Sequence, residues 1–439
     1  MVEMNHNAMV ALVTLKNAGF ESYFAGGCVR DSLLNLPVHD WDLATSATPD
    51  QVTELFSTSK LVGKNFGVSV VNVNGEQFEV ATFREDGAYS DNRRPDSVKF
   101  TTDPREDVKR RDFTVNALLM DESGKVFDFV NGLADLENKV LRTVGNPSDR
   151  FQEDALRLLR AVRFAARLGF MLDPLTVSAM TLRSKDVTTL PADRVAGELA
   201  KILTGGNVQV AFQTMDTTGL LVHFMPELCN MHGVTQNSMW HPEGDVWQHT
   251  MKMLSMLESG CSLTLALATL LHDVGKPVTA KTNEKTGHNQ FHGHEHVGAR
   301  MAERLLRDFR FSNEVVGTVS SLVENHMRFF NTEKMSLSKM KRFVRMENFS
   351  ELLELNRVDS LGSNGDLTAN NFCRGFRDNM KDELHPVRLL TGNDLLAMGF
   401  KAGPVFKTLL EAVETAQLEG VVTTREEAVA LVTASSGKV

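Results

Sequence analysis

The sequence predicts an α+β chain, with short strands confined to the first third and helices dominating the rest. Three observations carry this. Short β-type runs alternate with helical stretches only up to about residue 145. Asn74-Gly75 sits between two alternating apolar runs, the pattern of a tight hairpin. From about residue 150 the apolar spacing is helical almost throughout.

Taken in order, residues 4–19 form an amphipathic helix through Met9, Leu12 and Leu15, stopped by Gly19. Ser22–Ala25 is a strand that runs into the turn Gly26-Gly27, and residues 30–36 are a helix stopped by Pro37. Asp40–Ala44 is a second strand, and Thr48-Pro49-Asp50 caps a further helix. The hairpin pairs 68–73 with 77–84. Residues 85–110 are polar, turn-rich and charged in both signs, which predicts a long loop. Arg110-Arg111-Asp112 then opens a helix-like run, and Asp193-Arg194 with Glu198 opens another helix that stops at Gly205-Gly206. Helices containing 377–390 and 404–418 follow the histidine-rich segment 241–360. These shifts divide the chain at 1–145, 146–230, 231–365 and 366–439.

The chain has 439 residues and a net charge of −9, which argues against a uniformly basic nucleic-acid binder but leaves room for a local basic stripe. The longest apolar runs are too short to span a bilayer, and no export signal is visible at the N-terminus. Four scattered cysteines show no paired spacing. A cytoplasmic protein without a membrane partner is expected; oligomeric state is left open.

The densest chemistry lies at Gly26-Gly27-Cys28-Val29-Arg30-Asp31 and Asp40-Trp41-Asp42. Two glycines let backbone amides approach a phosphate, and Arg30 adds a fixed positive charge. Asp40 and Asp42 are two apart, so on a strand both carboxylates share a face, as a divalent-metal phosphoryl-transfer site requires. Glu79, on the second hairpin strand, is either a third carboxylate or a solvent-facing acid. The series Glu153, Asp154, Arg157, Arg160, Arg163 and Arg167 places Asp154 beside Arg157 and lines up the arginines. Such a stripe is either a helix with solvated ion pairs or an arginine excess suited to nucleotide or RNA phosphates.

A second cluster contains His249, His272-Asp273, His294, His326 and Asp359. Imidazole with carboxylate is a mixed nitrogen and oxygen set that suits first-row divalent metals. His272 and Asp273 adjoin, so both reach one ion only where their helix ends, and Gly275 with Pro277 marks that end. A metal held there favours phosphoester hydrolysis. His288, His292 and His296 read as exposed.

From residue 20 to 225 the motifs run GGCVRD, DWDL, the stretch from Arg84 to Val98, RRDFTVNAL, EDALRLLRAVRFAARLGF, and the Arg194–Glu198 helix. In this order they resemble the class II tRNA nucleotidyltransferases, the CCA-adding enzymes, which share a head with bacterial poly(A) polymerase. The resemblance implies a nucleotidyltransferase head with a small mixed β-sheet, followed by mostly helical neck, HD and C-terminal regions. It implies Gly27 and Arg30 on the incoming triphosphate, magnesium on Asp40 and Asp42, and a phosphate or sugar contact at Arg111; Glu79 from its strand position is the candidate third catalytic acid, and Asp112 beside Arg111 a candidate nucleotide contact. Asp154 and Arg157 would read the base edge of CTP or ATP, with Arg160 and Arg163 supporting them. The substrates implied are the tRNA 3′ end, CTP and ATP. The stretch 84–98 would be the flexible element tied to addition of the final A. Through His249, His272-Asp273 and Asp359, residues 241–360 resemble the HD phosphohydrolases, implying a transition-metal ion, with His294 and His326 as further possible ligands.

Three alternatives remain at this stage. A poly(A) polymerase shares the head, although Gly63-Lys64-Asn65-Phe66-Gly67 lacks an Arg-Phe pair often found there. An A-adding enzyme would act after a separate CC-adding partner. A tRNA-binding HD phosphohydrolase with an inactive head is the alternative of another class.

Overall fold

The computed structural model describes residues 4–56, 60–63, 67–89, 95–237 and 239–436. Lys64–Phe66, and residues 90–94 of the stretch 84–98, therefore lie outside the described residues. The chain divides into two units: Met1–Cys229 with Glu258–Gly260, and Asn230–Leu257 with Cys261–Val439.

The first unit opens with α1 (His6–Asn17), β1 (Ser22–Ala25), α2 (Gly27–Leu33), β2 (Leu43–Thr45) and α3 (Pro49–Leu55). The strands β3 (Lys60–Gly63), β4 (Val68–Val73) and β5 (Glu76–Thr82) follow. Then come β6 (Arg84–Asp86), β7 (Val98–Phe100), α4 (Pro104–Lys109), β8 (Leu119–Met120) and β9 (Val126–Phe127). Seven of these strands form a sheet in the order β3-β4-β5-β2-β1-β8-β9. It is mixed, because β2 runs parallel to β5 while every other neighbouring pair is antiparallel. The Asn74-Gly75 turn joins β4 to β5, with Val73 opposite Glu76.

Apolar side chains of α1 (Ala8, Leu12, Leu15) are fully buried against Phe24, Leu43 and Val80 of the sheet. Burying each leucine contributes about 1.5–3 kcal/mol. The cap of α3 is a box in which Thr48 and Gln51 satisfy each other's backbone amides.

Four sequence expectations shift here. The second strand is only Leu43–Thr45, and Asp40 and Asp42 precede it without regular structure. Buried Trp41 between them packs edge-on against Phe24, at 4.8 Å between centroids, so the two acids still flank one inward-facing ring. The helix after the glycines begins at Gly27 and ends at Leu33, before Asn35 turns left-handed at φ 55°. The stretch 85–110 is not one loop. The β6–β7 hairpin and α4, whose N-terminus Asp103 caps through Arg105 N at 2.9 Å, occupy much of it. Consequently Arg110 and Arg111 stand at the end of a helix, not the start of one.

The rest of the first unit is mainly helical, with α5 (Gly132–Glu137), α6 (Pro147–Glu153), α7 (Leu156–Leu168) and α8 (Pro174–Arg183). The short strands β10 (Val140–Leu141) and β11 (Met171–Leu172) pair in parallel. The unit closes with α9 (Ala192–Thr204), α10 (Val208–Thr217), α11 (Leu221–Phe224) and α12 (Pro226–Cys229). Asp154 lies in the break between α6 and α7, in extended conformation, so it does not share a helix with Arg157.

The second unit is built on α13 (Val246–Ser255), α14 (Leu263–Leu271), α15 (Lys276–Thr279), α16 (His294–Asp308), α17 (Asn313–Asn325), α18 (Leu337–Val344) and α19 (Phe349–Gly362). A two-stranded hairpin, β12 (Lys281–Thr282) with β13 (Asn289–Gln290), precedes α16. Seven of nine residues of α14 are buried, and it packs on α13, α17 and α19. Next comes α20 (Thr368–Asn379), which ends well before Leu390, so the expected 377–390 helix is only its last turn. The helices α21 (Gly392–Ala397), α22 (Pro404–Leu418) and α23 (Arg425–Ser436) share a cluster including Leu395, Leu409, Val413, Ala428 and Val432. Among the described residues no helix is long and apolar enough to cross a membrane.

Candidate functional sites

In the first unit the site grows from the Gly26-Gly27 turn between β1 and α2. Gly26 has φ 81°, a left-handed conformation that favours glycine. A Cβ there would also meet the Arg111 guanidinium at 3.1 Å, so the turn and Arg111 are close neighbours. Arg30 is buried at 2 % exposure, donates to Asp31 at 2.7 Å and to Asn116, and lies 5.0 Å above the Phe164 ring. Its guanidinium stands behind Gly27, where an added Cβ would lie 3.7 Å from it.

Asp42 is half-buried and its pKa is pushed up to about 6. Burial is the main cause, the negative charges of Glu79 and Asp40 add to it, and Arg111 works against it. The parallel register that pairs Leu43 with Val80 carries Glu79 alongside Asp42. Glu79 itself is exposed. Asp42, with the Asp40 and Glu79 carboxylates near enough to act on it, offers oxygen donors only, and that donor chemistry fits magnesium.

The arginine series is not an unpaired excess. Arg157 donates to Glu153 at 2.6 Å and to the carbonyls of Arg150 and Arg110 at 3.0 Å each. Arg160 is held by Asp112 at 2.8 Å, Arg163 by Glu198 at 2.6 Å, and Arg167 by Asp31 at 3.1 Å. Asp154 pairs not with Arg157 but with Arg194, oxygen to nitrogen at 3.2 and 3.0 Å, and also accepts from Leu156 N at 3.0 Å. The guanidiniums of Arg30, Arg160 and Arg163 surround the Phe164 ring at 5.0, 5.3 and 4.2 Å.

Asp112, expected at the nucleotide, sits within a hydrogen-bond network of its own. It is buried, and its oxygens are taken by Arg160, by Asn116 Nδ2 at 3.1 Å and by Phe113 N at 2.8 Å. Burial opposes its charge, yet Arg160, the Asn116 hydrogen bond and Arg157 bring its pKa to about 2. It positions Arg160. Sequence reasoning missed Asp107, which is fully buried and holds Arg110 at 2.7 Å and Arg111 at 3.2 Å. Their i, i+3 and i, i+4 spacings were the available signal.

In the second unit all six expected cluster residues converge. His249 comes from α13, His272 and Asp273 from the end of α14, His294 from the start of α16, His326 from the end of α17 and Asp359 from α19. Each imidazole is tethered through Nδ1: His249 to Glu243 at 2.6 Å, His272 to Thr269 O at 2.9 Å, His294 to Phe291 O at 2.8 Å and His326 to Val323 O at 2.6 Å. Tethers of this kind leave Nε2 free for a metal. His249 Nε2 lies 3.1 Å from Asp359 Oδ1, and His272 Nε2 3.1 Å from Asp273 Oδ2.

Asp273 is 1 % exposed, and neither of its oxygens receives an aligned hydrogen bond, although His272 and Lys276 lie close by distance. His272 Nε2 is likewise without an aligned partner. Lys276 already supplies one positive charge to Asp273, while the unpartnered His272 Nε2 and the other nitrogen and oxygen donors around it fit a first-row divalent ion. Burial, with His272 and His294 nearby, lowers the His326 pKa to about 3, which keeps its ring in the neutral, ligating form. His288, His292 and His296 are exposed, as expected.

Sequence reasoning gave no role to Glu243, His241, Gln236 or Lys276. Glu243 joins His241 at 3.0 Å to His249, and Lys276 bridges Asp273 at 2.6 Å and Gln236 at 2.7 Å. A cavity of about 790 Å³ opens beside the cluster, lined by Trp240, His241, Asp273, Lys276, Phe330 and Asp359 among others.

Gly275 explains how α16 comes so close. A Cβ on it would meet His294 O at 2.2 Å and Gly298 N at 2.7 Å, so only glycine admits the His294 backbone here.

Residues 22–142 match the poly A polymerase head domain, 169–231 the probable RNA and SrmB-binding site of polymerase A, and 246–361 the HD domain. The chain is 49 % identical over 202 residues to the CCA-adding enzyme of Oceanobacillus iheyensis, covering 46 % of this chain and 50 % of that protein. It is 44 % identical over 212 residues to that of Limosilactobacillus fermentum, covering 48 % and 53 %. The matched stretch thus spans about half the length of these curated relatives. Over 99 % of both chains it resembles the Bacillus stearothermophilus CCA-adding enzyme in complex with CTP, at TM-score 0.78 and 26 % identity. The Thermotoga maritima CCA-adding enzyme complexed with tRNA shares the fold, at TM-score 0.60 and 18 % identity over 98 % of this chain and 94 % of that one.

Proposed function

We propose that this chain is a CCA-adding tRNA nucleotidyltransferase that adds C, C and A to the tRNA 3′ end from CTP and ATP, and carries an HD phosphohydrolase domain. The observation that carries the reading is the acid cluster Asp40, Asp42 and Glu79 beside the Gly26-Gly27 turn and Arg111, with Asp42 pushed up to about 6 by burial and by the charges of Glu79 and Asp40. The CTP complex of a relative that matches end to end supports it.

In each cycle the tRNA 3′-oxygen bonds to the α-phosphorus, the bond from that phosphorus to the pyrophosphate oxygen breaks and pyrophosphate leaves, and the hydroxyl proton passes to solvent. Asp40 and Asp42, with Glu79, hold the magnesium, whose charge offsets that of the triphosphate when bound. Gly27 presents backbone amides to the triphosphate, Arg30 supports the turn with its charge, and Arg111 contacts phosphate or sugar. Asp154 and Arg157 offer an acceptor and a donor edge that distinguish cytosine and adenine from the other bases. Arg194 and Glu153 keep those two edges in place, as do the paired Arg160 and Arg163 their surroundings. The stretch 84–98 serves addition of the final A. Residues 1–145 act as head, 146–230 as neck, 231–365 as HD domain and 366–439 as a C-terminal helical region.

At the HD site His249, His272, Asp273 and Asp359, with His294 and His326, hold a transition metal that promotes phosphoester hydrolysis when bound. The test separates the two sites. Asp42→Ala abolishes nucleotide addition and spares metal-dependent hydrolysis of a 2′,3′-cyclic phosphate, and His272→Ala does the reverse. Loss of both activities in either variant would overturn the two-site reading.

A further inference from the structure

From the three guanidiniums gathered on one ring we infer that Phe164 is a positioning residue for the nucleotide site, tying the Gly26-Gly27 turn to the helix that carries Arg157. This rests on the nucleotide reading of the first unit and adds to it a side chain that itself touches no substrate.

Phe164 lies on α7, one turn beyond Arg160 and next to Arg163. It is buried and packs edge-on against Phe113, with ring centroids 5.8 Å apart. The guanidinium carbons of Arg163 and Arg160 stand 4.2 and 5.3 Å from the ring centroid. The third cation, Arg30 at 5.0 Å, comes from α2, directly behind the glycine turn.

Carboxylates hold these arginines separately. Asp31 accepts from Arg30 at 2.7 Å, Asp112 from Arg160 at 2.8 Å and Glu198 from Arg163 at 2.6 Å. Each of these acids takes a different arginine, so Phe164 is what the three have in common. Burial, with the charge of Arg167 adding to it, lowers the pKa of Arg30, and burial with the charge of Arg160 lowers that of Arg163. The cations are therefore crowded and partly dehydrated. A ring attracts a guanidinium through its negative face, more strongly away from water, and an aliphatic side chain of like size does not.

Arg30 carries the position of the ring into the site. Its guanidinium would lie 3.7 Å from a Cβ on Gly27, so moving Arg30 alters the turn whose amides face the triphosphate. Arg157 stands one turn before Arg160 on α7, so the same ring anchors the segment that reads the base.

The experiment changes the charge distribution of the ring while nearly keeping its shape. Phenylalanine bearing one, two or three fluorines is incorporated at position 164 of the full-length chain, each fluorine drawing charge from the ring face. Dissociation constants for CTP and UTP are measured by calorimetry with magnesium and without tRNA. Both constants should rise with each fluorine, that for CTP by roughly tenfold with three, and the preference for CTP over UTP should narrow in the same order. Phe164→Leu, which removes the ring, should weaken CTP binding at least as much as the trifluorinated residue. Constants that stay flat across the fluorinated series would overturn the inference whatever Phe164→Leu does, because a ring that only fills the core is indifferent to fluorine. A rise with the preference unchanged would overturn the tie to the base-reading helix. Because tRNA is absent, a chain that passes this test yet builds long A tails would lose the CCA reading alone, whereas a parent that binds no CTP would overturn both.

Discussion

Replacing Arg194 tests the base-reading assignment through a residue that need not touch the nucleotide. Arg194 grips Asp154 fork to fork, at 3.2 and 3.0 Å, with both side chains about a fifth exposed. Arg194→Lys keeps the charge but loses the planar fork and one of the two bonds. A charge-assisted hydrogen bond is worth about 1.5–3 kcal/mol, and solvent screening at this exposure brings the loss to about 1 kcal/mol. That is a roughly fivefold effect, since about 1.4 kcal/mol is tenfold. Arg194→Met removes both bonds and frees the Asp154 carboxylate to turn, for a loss of about 2 kcal/mol, or roughly thirtyfold. The assay is single-nucleotide addition to tRNA ending at the discriminator base, with CTP, ATP, UTP and GTP supplied singly. The kcat/KM for CTP should fall by these factors and the ratio of correct to incorrect addition should narrow with it. Unchanged selectivity in Arg194→Met, with activity reduced alike for all four nucleotides, would refute the role given to Asp154.

Other outcomes follow from the same geometry. Because the Asp42 pKa is raised to about 6, protons compete with magnesium below that pH. The magnesium concentration for half-maximal addition should rise as pH falls from 7 to 5 and stay level above 7, and a flat profile would remove the acid cluster from magnesium binding. Gly275→Ala should push the His294 backbone away, so bound transition metal drops while CCA addition persists; full metal content in that variant would contradict the close approach at Gly275. Glu198→Gln leaves the partly exposed Arg163 guanidinium without its carboxylate, a loss of about 1–3 kcal/mol, visible as a lower urea midpoint for the first unit. A midpoint within error of the parent would mean that Arg163 finds another partner.

Residue type and short spacing made much of both sites legible. Asp40 and Asp42 flank an inward Trp41, and the charge of Asp40 acts on Asp42, although no strand forms there. His272-Asp273 at the end of an apolar helix, with Gly275 behind it, gave the HD core. What the sequence concealed depends on distant contacts. The acids that neutralise Arg160, Arg163 and Arg167 lie 48, 35 and 136 residues away, so the sequence left open whether the stripe was paired or an arginine excess. Asp154 looked like a partner of Arg157 only if one helix ran through both, and the break after Glu153 turns it toward Arg194.

The central claim is that the first unit builds CCA on tRNA and stops. Its direct measurement is incubation of the full-length chain with tRNA transcripts ending at the discriminator base or in CC, each with CTP, ATP or both, read at nucleotide resolution. The account predicts C and C with CTP alone, a single A on the CC transcript with ATP alone, and CCA with no further extension when both are present. Long A tails, or no addition to the transcript that lacks CC, would contradict it.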